Sequence, residues 1–138
     1  MALLHPLWWL ALLLMAANDH LFKQDATLSG LVTGKLSDVT GLFVAPALLA
    51  TLLAVRTTRG LLATHLTVGA WFAAMNLSQP FANAWAGLTA LGPLPPWQPV
   101  VDAPDLLTLP MLLVAWRVLL AAMRKAPAVV DAPGIGQR

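Results

Sequence analysis

The chain contains no cysteine, no tyrosine and no glutamate. Without cysteine there are no disulfides, no thiolate metal sites and no cysteine nucleophile, and nothing in the sequence reports a redox compartment. Charge is also scarce, at 10% of residues where soluble domains have about a quarter. What fills the sequence instead is apolar: 59% of its 138 residues are hydrophobic and the mean hydropathy is +0.75. A soluble globule of this size could not cover so much Leu, Ala and Val with six Asp and eight Lys or Arg, so the chain is read as a single-domain membrane protein.

Four apolar stretches approach the roughly 20 residues needed to cross a bilayer. They predict an all-α, polytopic membrane protein with helices over about 3–22, 37–55, 61–77 and 105–123. Segments of alternating hydrophobicity, which a barrel would need, are absent. The first stretch has no Lys or Arg ahead of it and no small-x-small site before Asn18, so it is expected to be a retained helix and not a cleaved signal peptide. In the last long loop Phe81, Trp85, Leu88 and Leu91 recur at helical spacing, which suggests a short interfacial helix. Residues 1–125 then form one transmembrane domain, and 126–138 a disordered cytoplasmic tail.

Arg56, Arg59, Arg124, Lys125 and Arg138 flank one face of this arrangement, whereas Lys23 and Lys35 flank the other. The basic excess marks the cytoplasmic side, so both termini are expected there. The net charge of +2 is therefore a topology signal, and no basic patch interleaved with aromatics points to nucleic acid. Five of the six Asp residues fall on the outer face.

Three polar clusters lie there. In "NDHLFK", Asp19 and Lys23 have the spacing of a helix-surface ion pair, and Asp19 and His20 could instead face the bundle interior. In "TGKLSD", Ser37 is expected to cap the second helix, with Asp38 at its positive end. Lys35 is misplaced against that dipole unless Asp38, Asp19 or a lipid phosphate neutralises it, and a Ser37–Lys35 nucleophile pair is a weaker alternative. In "DAPDLLTLP", Asp102, Pro104 and Asp105 read as a capped helix start. Asp19, His20, Asp38, Asp102 and Asp105 together would suit a hard divalent cation such as Ca²⁺, Mg²⁺ or Mn²⁺. His65 is expected to be a packed or interface-reaching histidine and not a ligand, and Arg117 to reach the cytoplasmic headgroups.

"GKLSD" by itself is similar to a loop motif of major facilitator transporters, but the chain is far too short for that fold. The ordered set of Asn18-Asp19-His20 with Lys23, Thr33 to Asp38 with Gly41 and Leu42, and Asp102-x-x-Asp105-Leu106-Leu107-x-Leu109-Pro110 resembles an uncharacterised family of small bacterial four-helix integral membrane proteins. The chain departs from that pattern by reading "DAPD" for "DPTD", which leaves both acids in place. The resemblance implies the four-helix architecture and the choice of residues, and no activity.

Three classes of function remain. One is a binding or accessory module that packs against lipid, other membrane subunits or copies of itself, for which Gly69 and Ala73, four apart, offer a close helix contact. The second is a metal-dependent enzyme acting on a phosphate- or lipid-linked substrate at the outer leaflet, with Lys35 neutralising an anion. The third is a small oligomeric transporter, which Arg117 as the only charge near mid-membrane makes less favourable.

Overall fold

The computed structural model describes residues 5–21, 30–93 and 98–125. Lys23 and the tail 126–138 lie outside the described residues. Within them the chain is all-α: α1 (Pro6–His20), α2 (Gly30–Leu52), α3 (Thr58–Leu77), α4 (Gln79–Thr89) and α5 (Met111–Lys125), with a 3₁₀ helix over Ala103–Thr108 leading into α5. Two stretches are long and apolar enough to cross a membrane, Val32–Leu52 and Ala103–Lys125.

The helix starts follow local capping. His5 Nδ1 accepts from Leu7 N–H at 3.3 Å ahead of Pro6, and α1 begins. The Thr57 hydroxyl accepts from Gly60 N–H at 3.1 Å, so α3 starts at Thr58, earlier than the apolar run from 61 suggested. Ser78 caps Phe81 N–H at 3.3 Å, and the helix expected from the Phe81–Trp85–Leu88 spacing is present as α4. The single helix expected over 105–123 is instead two pieces. Pro110 has no N–H to continue the backbone ladder, and the 3₁₀ segment ends at Thr108, with Leu109 still in α geometry (φ −52°, ψ −33°), before α5 begins at Met111.

The largest departure is α2, which begins at Gly30 and not at 37. Gly34 is accommodated inside it, and Pro46 removes one backbone bond, to the Leu42 carbonyl, without ending the helix. The helix stops instead in a Schellman turn. Ala54 N–H donates to Thr51 O at 3.0 Å and Val55 N–H to Ala50 O at 2.8 Å, with Ala54 in the left-handed region at φ 49°. That turn reverses the chain and lays α3 antiparallel beside α2.

α2 is the hub, packing against α1, α3, α5 and the 3₁₀ helix. Its Val44, Ala47 and Ala50 join Trp8, Leu61 and Leu119 in the core cluster, and the Trp8 indole donates to the Val44 carbonyl at 3.2 Å. Buried hydroxyls are satisfied by their own helices: Thr40 donates to Leu36 O at 2.7 Å and Thr64 to Leu61 O at 2.8 Å. Outward, Leu10, Leu13, Leu66, Leu107 and Leu113 are all exposed. Large apolar side chains thus sit on both sides of the helices, as they do in lipid.

Candidate functional site

Because α2 starts at Gly30, Lys35, Ser37 and Asp38 stand inside the helix and not at its first turn. The expected Ser37 cap and the placing of Asp38 at the helix dipole are therefore corrected. Residues 35 and 37 are about 200° apart around a helix, whereas 35 and 38 are only about 60° apart, so Ser37 leaves α2 on one side and Lys35 and Asp38 leave it as neighbours on the other.

Ser37 turns to α1. Its hydroxyl donates to Asp19 Oδ1 at 2.7 Å and accepts from Asn18 Nδ2 at 2.9 Å. The same amide donates to the Thr33 carbonyl at 2.7 Å, using both of its N–H groups on α2. Asn18 is fully buried, and its Oδ1 has no hydrogen-bond partner among the described residues. Asp19 and His20 are exposed, so the alternative in which they face the bundle interior is also corrected; the interior position belongs to Asn18. The side chain of Asn18 was not among the candidates, and the only signal for it was a carboxamide sitting at the end of an apolar run.

Lys35 turns to the opposite side and is ion-paired with Asp105 of the 3₁₀ helix. Asp102 and, more weakly, Asp38 act on the same ammonium through space. The ion-pair partner of Lys35 is thus Asp105 and none of the three expected anions, although one of these, Asp38, contributes through space. Both partners are partly buried, at 28% and 21% side-chain exposure, where the pair is screened less than on an open surface. Asp102 occupies the position before the 3₁₀ helix but makes no side-chain cap bond, which corrects the expected capped start; Pro104 is in the first turn as expected. Thr108 donates to the Asp105 carbonyl at 2.6 Å and steadies that turn.

Among the described residues no three His, Asp or Glu side chains are grouped to share a metal ion. Asp105, Asp102 and Asp38 act on the Lys35 ammonium, whereas Asp19 accepts from Ser37 on the other side of α2. His65 is a packed residue: its Nδ1 is 2.8 Å from the Leu61 carbonyl and its ring meets Trp116 edge-on at 5.4 Å.

Asp38, next to Lys35 on α2, also borders a groove. Ser37 and Asp38 begin an open groove of about 450 Å³ whose α2 floor is Gly41, Ala45 and Leu49. α3 contributes Thr67, Val68, Trp71 and Phe72, and α4 contributes Trp85, whose ring meets that of Trp71 at 5.4 Å and 75°.

No family model, curated protein or solved structure matches the chain. What the site can do is therefore argued from its own geometry. Its polar side chains fasten α1 and the 3₁₀ helix to α2, and the groove beside them is almost wholly apolar.

Proposed function

We propose that this chain is a four-span membrane protein acting as a binding or accessory module. In this reading α1, α2, α3 and the 3₁₀–α5 unit span the bacterial inner membrane, both termini are cytoplasmic, and α4 lies along the outer interface. The basic residues Arg56, Arg59, Arg124 and Lys125 at one end and the Asp residues at the other support that orientation. So does the outward display of Leu on α1, α3 and α5. The resemblance to small bacterial four-helix membrane proteins is part of the same proposal.

The observation that carries the functional half is the use made of the polar set. Lys35 is committed to Asp105, and Ser37 to Asp19 and Asn18, so these groups act as ties between helices beside an apolar groove. Catalysis would ask them to converge on one reacting atom. Purified full-length protein in bilayer discs tests the reading. A ligand or subunit retained at fixed stoichiometry through purification supports it. Turnover of a phosphate-ester lipid that requires Mg²⁺ or Mn²⁺ overturns it.

Orientation is tested separately. The chain has no cysteine, so single substitutions report cleanly. Gln98→Cys should react with a membrane-impermeant maleimide in intact cells, and Thr57→Cys only after permeabilisation; the reverse pattern would invert the topology.

A further inference from the structure

Arg117 lies well inside the membrane-length segment Ala103–Lys125, and the polar ties between helices do not involve it. It follows Asp105 by 12 residues, about 18 Å along a helix at 1.5 Å per residue. The other acids of the described residues gather at the Asp105 end: Asp19 accepts from Ser37, and Asp38 and Asp102 act on Lys35. At the opposite end, where Val55 and Met123 pack on one core cluster, stand Arg56, Arg59, Arg124 and Lys125, with no acid among the described residues. The counterion of Arg117 therefore comes from outside the described residues.

The helix fixes where the side chain leaves. Ala115 and Leu119 are buried in the bundle, and each is two residues, or about 200°, from Arg117. Arg117 thus departs on the side away from the core, where it is exposed. Arg124 comes seven residues later, about 20° short of two full turns, so the two arginines stand in line with their backbones about 10.5 Å apart. Between them lies Ala121, also exposed, whose single methyl leaves the space between the guanidinium groups open. On the other side of Arg117 the face continues as Leu113 and Val114, 65% and 48% exposed. From the Lys125 end inward, the face is cationic for two turns and then apolar.

That order is the order of a phospholipid. A partner helix would need an acid buried at the depth of Arg117 and small residues for close approach, and Leu113 and Val114 hold a neighbouring backbone off. Arg117 is about 12 Å along the helix from Lys125, near enough for its long stem to carry the guanidinium toward the headgroups. Its planar fork suits a phosphodiester, which it can engage through two N–H groups. The ammonium of a zwitterionic head would meet cations at this end and no described acid, so net negative charge is favoured.

We propose that the Arg117–Arg124 face of α5 binds an anionic phospholipid of the cytoplasmic leaflet, with its phosphate between the two guanidinium groups over Ala121 and its acyl chains along Leu113 and Val114. The inference rests on the membrane orientation given under the proposed function and names a ligand class for that chain.

The test uses full-length protein in phosphatidylcholine vesicles with a trace of chain-labelled spin probe, either phosphatidylglycerol or phosphatidylcholine. The expected result is an immobilised component that favours phosphatidylglycerol. Arg117→Gln should cut the preference about fivefold, the equivalent of about 1 kcal/mol per basic residue at the membrane surface. Ala121→Trp, which fills the space between the arginines and keeps every charge, should lower it as well. Replacing both Arg56 and Arg59 with Gln removes two charges from the same end and should lower it less than Arg117→Gln does. All four positions are exposed, so these variants leave the core intact.

Equal immobilisation of the two probes by the native protein would overturn the proposal. So would a preference that survives Ala121→Trp and falls as far in the Arg56 and Arg59 variant, since that is diffuse surface charge. A preference gained only on Asp131→Asn would assign Arg117 to the tail and overturn the lipid. Quantitative disulfide dimers of Leu113→Cys in the vesicles would place a second copy on the face, with the same consequence. The cysteine labelling of residues 57 and 98 reads the orientation independently, so a failed lipid test with the expected labelling removes this inference alone.

Discussion

Lys35 of α2 is ion-paired with Asp105, 70 residues further along the chain, and through that pair the hub helix holds the segment that leads into α5. The direct partner is thus distant in sequence, while Asp102 and the nearby Asp38 act on the same ammonium through space. One cation thus fixes the relative position of two of the membrane-length segments.

The first prediction concerns that pair. Lys35→Asp and Asp105→Lys should each lower the thermal midpoint, because each leaves like charges facing across a partly buried contact. The double exchange should recover most of the loss. Raising salt to about 1 M should narrow the gap between native and single-variant proteins, since screening weakens the repulsion. Additive losses in the double variant would mean that the two side chains do not couple.

A second prediction concerns Asn18. Its amide is fully buried and bonds both the Thr33 carbonyl and the Ser37 hydroxyl, so Asn18→Ala should cost about 1–3 kcal/mol by leaving polar groups unpaired. Ser37→Ala should cost less, about 0.5–1.5 kcal/mol. The two losses should be non-additive, which a double-mutant cycle measured by denaturant unfolding will show or refute.

The turn after α2 offers a stabilising change. Ala54 holds φ 49° where this motif favours glycine. Relieving the left-handed strain of about 1–2 kcal/mol is partly offset by the greater freedom of glycine in the unfolded chain, about 0.5–1 kcal/mol. Ala54→Gly should therefore raise stability by up to about 1 kcal/mol, and Ala54→Pro, whose φ is locked negative, should disrupt the hairpin. A lower thermal midpoint for Ala54→Gly would count against the turn geometry.

The core and the lipid face should respond oppositely to the same chemistry. Leu61 is 1% exposed, so Leu61→Ala should cost about 2–5 kcal/mol through lost packing. Leu10 is 62% exposed on α1, and Leu10→Ala should change stability little. Leu10→Asp should instead impair membrane insertion, by about 2.5–3.5 kcal/mol if that position lies near mid-bilayer. Normal insertion of that variant would show that α1 does not span.

Composition together with the lack of alternating apolar segments pointed to the helical class, and among the described residues the regular secondary structure is helical with no strand. The periodicity of Phe81, Trp85 and Leu88 was enough to locate α4, because an amphipathic stripe is a local pattern. The bounds of α2 were not legible in the same way. Gly30 and Gly34 resemble a helix boundary by propensity, and packing against α1 and the 3₁₀ helix overrides it.

The site divides along the same line. That Lys35, Ser37, Asp38, Asp102 and Asp105 would matter was readable, since polar groups in so apolar a chain are costly to place. Which of them meet was decided by tertiary structure. Ser37 to Asp19 and Lys35 to Asp105 are contacts 18 and 70 residues apart, and no local spacing encodes either. Asn18 stood in the motif that opens with Asn18-Asp19-His20 but not among the candidate site residues, because a single carboxamide gives no periodic signal and its importance comes from full burial against α2. The groove is tertiary in the same sense: Gly41 and Ala45 are merely small in the sequence, and they become a floor only when α3 and α4 supply the walls.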